Sequence, residues 1–188
     1  GKVSSIVHYH DSFFVGFLMD GILLLEKQKN TSHYRIQPLP VNSGVFCLKK
    51  DRFQDIVWIG TDGQGVYLYS NPLYSIKSVV LGNYTEKIER PVRALLQDDE
   101  RTFWVGTKGN GILKIYDYEV DKNLSDCRAE VLTTSNSALG SNAVYCFARS
   151  HRNLLWIGEE EGLTYYSYRE KRIKRLPVRI GNEEFKYI

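Results

Sequence analysis

His8 and His10 stand two apart with Asp11 beside them, and on an extended backbone residues two apart share a face, a spacing that can hold zinc. No third ligand is fixed by the sequence, and His33 and His151 fall in loop or strand-end contexts without a partner, so no metal is expected. Two carboxylate runs, Asp98-Asp99-Glu100 and Glu159-Glu160-Glu161, are the residue types for calcium or general acid-base work. Each lies in or beside a turn and neither has the D-x-D-x-D-G calcium pattern, so both are read as solvated turn residues. Cys47, Cys127 and Cys146 contain no C-x-x-C, and their odd number leaves a thiol over in any pairing. With no G-x-S-x-G, no Rossmann fingerprint and no Cys-His pair fixed by spacing, the segment reads as non-catalytic and without a cofactor.

The charge balance excludes another class. Lys and Arg number 25 against 22 Asp and Glu, a net charge of +3, and the two signs are interspersed except at Arg169 to Arg175. That basic run has no aromatic platform for stacking bases and is read as decoration of an outer strand; no nucleic-acid partner is expected. No run of 18 apolar residues exists to form a helical span, and no signal peptide precedes Val3. The chain opens on Gly1, which points to a processed product or a segment of a longer protein. Contact with a membrane is accordingly expected only through the full-length protein.

What would position any of these residues is a repeat. Trp58-Ile59-Gly60-Thr61-Asp62-Gly63-Gln64-Gly65-Val66-Tyr67-Leu68-Tyr69 recurs as Trp104-Val105-Gly106-Thr107-Lys108-Gly109-Asn110-Gly111-Ile112-Leu113. It recurs again, one residue shorter, as Trp156-Ile157-Gly158 with Gly162-Leu163, and in outline as Phe14-Val15-Gly16 with Gly21-Ile22. The glycines after the aromatic-aliphatic pair fall at intervals of about 44, 46 and 52 residues. The second copy has apolar runs at Val45 to Leu48, Ile56 to Ile59, Val66 to Tyr69 and Ser75 to Val80, short and rich in Val, Ile, Tyr and Trp, which is strand chemistry. The linkers suit hairpins and are too short for parallel crossovers. Four antiparallel strands per period is the pattern of a β-propeller blade, so an all-β segment of about four blades is expected over residues 3–188, with blades at about 3–39, 45–81, 92–132 and 144–176. The third blade carries an insertion from Asp117 to Arg128, and the tail 177–188 with its Gly181-Asn182 turn reads as the approach to a further blade.

Three expectations follow from this alignment. The glycines of Thr61 to Gly65 and Thr107 to Gly111 supply positive φ in tight turns and are not a phosphate loop, since no helix follows them. Trp58, Trp104 and Trp156 pack between blades. Cys47, Ala94 and Cys146 lie 11, 10 and 10 residues before those tryptophans in first strands, where a small residue is wanted, so Cys47 and Cys146 are expected to be reduced and buried in equivalent positions.

The stretch Asp98-Asp99-Glu100-Arg101-Thr102-Phe103-Trp104-Val105-Gly106-Thr107, continued by Gly111-Ile112-Leu113 and Tyr116-Asp117, resembles the two-component regulator propeller repeat: an Asp-started turn, Trp-Ile-Gly-Thr, a Gly-Leu pair and a Tyr-Asp. Asp51 to Tyr69 and Asn153 to Tyr166 fit the same pattern, and Leu139 to Val144 looks like the segment leading into a repeat. The copies depart from it in lacking the usual Gly of the Asp-started turn and in having Glu159 for Thr. The resemblance implies the periplasmic sensor of an inner-membrane-anchored hybrid histidine kinase, known especially from gut Bacteroidetes, where such sensors respond to oligosaccharides. It implies kinase chemistry outside this chain. A propeller used as a protein-binding platform, or as the scaffold of a polysaccharide lyase, is the rival reading.

In an up-and-down meander the loops between blades and the hairpins between second and third strands emerge at one end. Ligand contact is therefore expected at Asn42, Arg90, Arg93, Asn142 and Tyr145, where first strands begin, and at Asp62, Lys108 and Asn110 on the hairpins, with Ser43, Gln64 and Ser141 nearby. The expected partners are an oligosaccharide and, because an open fan leaves apolar faces at its ends, either the rest of a larger propeller or a second copy of the chain as a dimer.

Overall fold

A computed structural model describes residues 1–70, 75–79, 88–99, 101–119, 127–150, 153–176, 179–180 and 183–184. Each repeat forms one antiparallel four-stranded sheet with its strands in sequence order. The first holds β1 (Val3–Tyr9), β2 (Ser12–Phe17), β3 (Gly21–Lys27) and β4 (Tyr34–Pro38); the second β5 (Val45–Lys50), β6 (Ile56–Thr61), β7 (Val66–Ser70) and β8 (Ser75–Ser78). The third holds β9 (Val92–Gln97), β10 (Phe103–Thr107), β11 (Ile112–Ile115) and β12 (Ala129–Leu132); the fourth β13 (Val144–Ser150), β14 (Leu154–Glu159), β15 (Gly162–Ser167) and β16 (Arg172–Leu176). A two-stranded ladder, β17 (Arg179–Ile180) with β18 (Glu183–Glu184), follows. Val80, Leu81, Glu100, His151, most of the third-blade insertion and the Gly181-Asn182 turn lie outside the described residues.

The chain divides into two compact units, Gly1–Val92 with Tyr118–Cys127, and Arg93–Asp117 with Arg128–Ile188. In the first unit the core lies between the first two blades: Phe14, Ile22 and Leu24 from one face of the first blade meet Val45, Leu48, Val57, Ile59 and Tyr69 of the second. In the second unit Trp104 and Ile112 of the third blade meet Val144, Leu155, Ile157 and Tyr166 of the fourth. Burial along the second strands records this stacking. In β6 every residue is buried, whereas in β14 Leu155 and Ile157 are buried and Leu154 and Trp156 on the other face are half-exposed.

In three of the four copies the glycine of the aromatic-x-Gly leaves space for the valine that opens the next first strand. A Cβ on Gly16 would lie 2.7 Å from Val45 Cγ1, one on Gly60 2.7 Å from Val92 Cγ1, and one on Gly106 2.8 Å from Val144 Cγ1. The aromatic two residues earlier stacks edge-on against a tyrosine: Phe14 on Tyr69 at 4.7 Å, Trp58 on Tyr118 at 5.1 Å and Trp104 on Tyr166 at 4.9 Å between ring centroids. For Trp156 the expectation of packing between blades fails among the described residues: its ring contact is with Tyr165 of its own sheet.

Asp98 and Glu159 correct the reading of the carboxylate runs as solvated turns. Asp98 is 1% exposed; Oδ1 accepts Thr102 N–H, while Oδ2 accepts Trp104 Nε1–H at 2.8 Å and the Tyr168 hydroxyl at 3.0 Å. Asp51 does the same for Trp58 in the second blade, with Oδ1 accepting from Phe53 and Gln54. The Asp-started turn is thus a buried acceptor for an indole N–H that would otherwise lose its hydrogen bond on burial. None of the three cysteines forms a disulfide, and Cys47 and Cys146 do occupy equivalent positions opposite Gly60 and Gly158. They are less buried than expected, however: Cys47 is half-buried beneath Val92, whose carbonyl takes its S–H at 3.5 Å, and Cys146 is exposed.

Candidate functional site

The hairpin after each Trp-x-Gly-Thr is closed by its threonine. Thr61 Oγ1 donates to the Gly65 carbonyl and accepts Gln64 N–H; Thr107 Oγ1 repeats this with Gly111 and Asn110. Gly63 and Gly65 have φ of 79° and 73°, and Gly109 and Gly111 of 126° and 74°, as the sequence requires of these turns. The glycines therefore serve the turn, and the side chains of Asp62, Lys108 and the residue between each glycine pair are presented at its tip.

Hydrogen bonds tie these hairpins to the segments leading into first strands. In the first unit Asp62 N–H donates to the Gly44 carbonyl at 2.9 Å, Ser43 Oγ to the Asp62 carbonyl at 3.0 Å and Gln64 Nε2 to the Asn42 carbonyl at 3.4 Å. In the second unit Gly109 and Gly111 N–H both donate to the Asn142 carbonyl at 2.9 Å, and Lys108 bridges to Ala143. The two loop sets thus share one end of the blades within each unit. Asn42, Asp62, Arg90 and Lys108 are exposed there, and Arg93, Asn110 and Asn142 are half-buried. Asn142 Oδ1 is taken by Thr134 N–H at 2.9 Å, while Asn110 Oδ1 is buried with no hydrogen-bond partner among the described residues.

Tyr145 reaches the surface through a bulge. The ladder of β13 with β14 shifts register between Val144 and Cys146, leaving Tyr145 as the extra residue, 37% exposed. The same shift occurs between Val3 and Ser5 and between Val45 and Cys47. Bulges re-aim side chains and recur beside functional sites. Arg93, one residue before Ala94, occupies the matching position in its own blade.

Glu159 stands where the second and third blades have threonine. It is 2% exposed, accepts Gly140 and Ser141 N–H at 2.6 and 2.7 Å, and takes the Thr164 hydroxyl. Arg175 fastens the same segment through the Leu139 carbonyl at 2.9 Å. Burial pushes the Glu159 carboxyl above its ordinary value, against the lowering effect of its hydrogen bonds to Thr164, Ser141 and Gly140 and of the Arg175 charge.

Sequence reasoning missed Lys114. Its Nζ lies 4.6, 4.7 and 4.8 Å from the ring centroids of Tyr166, Trp104 and Tyr116, with Glu130 Oε2 and the Tyr166 hydroxyl at 3.5 Å. Burial lowers its pKa, partly offset by Glu130. Tyr116 donates to the same carboxylate at 2.6 Å, and burial pushes its own pKa up. The available signal was a lysine inside the apolar run Ile112 to Ile115 and directly across from Trp104. Of the histidines whose spacing could hold zinc, His10 meets Asp55 Oδ1 through Nε2 at 2.7 Å, and no group of three metal-ligating side chains occurs among the described residues.

No family model matches the chain, and no curated protein matches it. Solved structures do. The extracellular domain of a protein described as a hybrid two-component system, BT3049 of B. thetaiotaomicron, superposes with a TM-score of 0.72 and 24% identity over 93% of this chain and 22% of its own. That of BT4673 from the same organism, described once as a one-component and once as a hybrid two-component system, gives 0.74 and 0.75 at 13% and 11% identity, over 93% of this chain and 25% of its own. PorZ of Porphyromonas gingivalis, a surface component of the type-IX secretion system, gives 0.67 at 16% identity over the whole of this chain and 28% of its own. The chain spans about a quarter of the length of each. Its four blades are a β-propeller segment with the fold of these extracellular two-component domains, in agreement with the repeat that its Trp-x-Gly-Thr copies resemble.

Proposed function

We propose that this chain is a sensor segment on the periplasmic side of a membrane-anchored hybrid two-component histidine kinase, that it takes part in recognising an oligosaccharide, and that it signals to a kinase domain outside these residues. The fold shared with the extracellular domains of BT3049 and BT4673 supports the sensor role. One observation carries the site: hairpin tips and first-strand beginnings are hydrogen-bonded together at one end of the blades, through Asn142 in one unit and Gly44 in the other. Amide, guanidinium and phenol groups there are the donors, acceptors and flat faces that suit sugar hydroxyls and rings. In this reading the segment is non-catalytic.

The platform reading also has an observation behind it, the likeness over the full chain to PorZ, which is described as a secretion-system component. Calorimetric titration of the full extracellular region with a panel of oligosaccharides separates the two. The sensor reading expects saturable binding that is lost or weakened tenfold or more in Arg93→Ala/Tyr145→Ala. Binding unchanged in the double variant removes this site, and binding of protein partners without any saccharide favours the platform.

A further inference from the structure

Position 159 departs from the repeat in residue type and in turn length together. Thr61 and Thr107 are each followed by three loop residues and a glycine. Each spends its Oγ1 inside that turn, donating to the glycine carbonyl and accepting the N–H of the third loop residue, Gln64 or Asn110. In the fourth blade Glu159 pairs directly with Gly162, so only Glu160 and Glu161 form the turn, and the amide that a threonine would accept has no counterpart. A two-residue hairpin turn is closed by its backbone. The side chain at 159 is thereby released from its own hairpin, and a longer, charged one stands there.

That side chain reaches the segment leading into β13. Oε2 accepts the Gly140 and Ser141 N–H groups at 2.6 and 2.7 Å, and Oε1 accepts the Thr164 hydroxyl from β15. Arg175 of β16 places its positive charge near this carboxylate, and its Nε and Nη2 donate to the Ala138 and Leu139 carbonyls at 3.3 and 2.9 Å. Just beyond, the Asn142 carbonyl receives Gly109 and Gly111 N–H from the third-blade hairpin, and the Ala143 carbonyl receives Glu160 N–H at 3.0 Å. Tyr145, the bulged residue, follows two positions later. Residues 140–143 are thus held by backbone groups of the third-blade hairpin and, from the fourth blade, by a buried carboxylate. Hydrogen bonds to an ionised acceptor are the stronger kind, so this carboxylate is a firm anchor for two backbone amides.

We propose that Glu159 is a positioning residue of the candidate saccharide site: by fixing residues 140–143 it sets where Asn142 and the bulged Tyr145 stand relative to the third-blade hairpin. The inference rests on the saccharide reading above and specifies what holds that site in place. Every group it uses lies within the second unit. Glu159→Gln keeps the span, since its Oε1 accepts the two amides and its Nε2 donates to the Thr164 hydroxyl oxygen. Glu159→Thr restores the residue of the second and third blades, whose hydroxyl bonds within its own turn and leaves the Gly140 and Ser141 amides without their acceptor.

Two measurements on the full extracellular region test it. In the saccharide-free protein, amide exchange at Gly140 and Ser141 should be at least tenfold faster in Glu159→Thr and close to wild type in Glu159→Gln, with the β13 and β14 ladder keeping its wild-type protection in both. Calorimetry then uses the oligosaccharide of the panel that binds the wild type most tightly. Its affinity should fall tenfold or more in Glu159→Thr and stay within threefold in Glu159→Gln. Protection lost throughout β13 and β14 would show a merely structural role and overturn the proposal. So would unchanged exchange in Glu159→Thr, or Glu159→Gln binding as weakly as Glu159→Thr. If the wild type binds a saccharide and Glu159→Thr binds it equally, this inference alone falls; if the wild type binds none, the saccharide reading falls and takes the inference with it.

Discussion

Trp104 Nε1–H donates to Asp98 Oδ2 across 2.8 Å, and Tyr168 from the neighbouring blade donates to the same oxygen at 3.0 Å. One buried carboxylate thereby joins the Asp-started turn, the repeat's tryptophan and the next blade. Asp98→Ala leaves an indole N–H, a hydroxyl and the Thr102 amide without their acceptor, and each buried unsatisfied group costs about 1–3 kcal/mol. We expect a loss of about 3 kcal/mol or more in urea unfolding, with Asp98→Asn retaining part of it.

Gly106→Ala should destabilise the second unit by about 1–3 kcal/mol, because the added methyl meets Val144 Cγ1 at 2.8 Å inside a packed core. Gly158→Ala meets only the Cys146 thiol among the described residues, and that thiol can rotate away. Its cost, read from the same unfolding curves, should be clearly smaller. Equal costs at both positions would contradict the account of why the repeat has glycine there.

Much of this was legible in the sequence. The run Ile56 to Ile59 became β6 with two residues added, and even the degenerate first copy formed a regular sheet, since Phe14 fills the tryptophan's place against Tyr69. The side-chain destinations were less legible. Asp98 and Glu159 look like surface turn residues in one dimension, and what buries them is contact with atoms far along the chain, Tyr168 for one and Gly140 for the other. Trp156 matches Trp58 as a letter but differs in burial, because burial is set by the next blade and not by the repeat itself.

Glu159 gives a pH signature. Burial holds its folded pKa above the ordinary 4.5, so between 4.5 and the folded value the folded state binds more protons than the unfolded one. Its contribution to stability is fully present below pH 4.5 and is lost as the pH rises through the folded pKa. Relative to Glu159→Gln, the wild type should gain stability as the pH is lowered from 7 toward 4.5, measured as the difference between urea midpoints. A difference independent of pH would show that the carboxyl titrates normally.

Lys114→Met tests the aromatic cage. Burial lowers the folded pKa of Lys114, so the unfolded state holds its proton to higher pH, and stability attributable to this group rises as the pH climbs toward 10.5. The variant fills the cage between Trp104, Tyr116 and Tyr166 with an uncharged chain. Its stability relative to wild type should therefore be greatest near neutral pH and decline as the pH rises toward 10.5. A wild-type advantage that grows toward neutrality would mean that the ammonium is stabilised by its rings and by Glu130 more than burial penalises it.

The most direct test of the proposed site is amide hydrogen exchange on the full extracellular region, with and without the tightest-binding oligosaccharide of the panel. The account predicts protection concentrated in Thr61 to Gly65, Thr107 to Gly111 and the lead-in residues Asn42 to Gly44 and Gly140 to Ala143. Protection confined to the opposite hairpins, at His10-Asp11, Arg52 to Asp55, Asp99 and Arg101, or absent from this segment altogether, would contradict it.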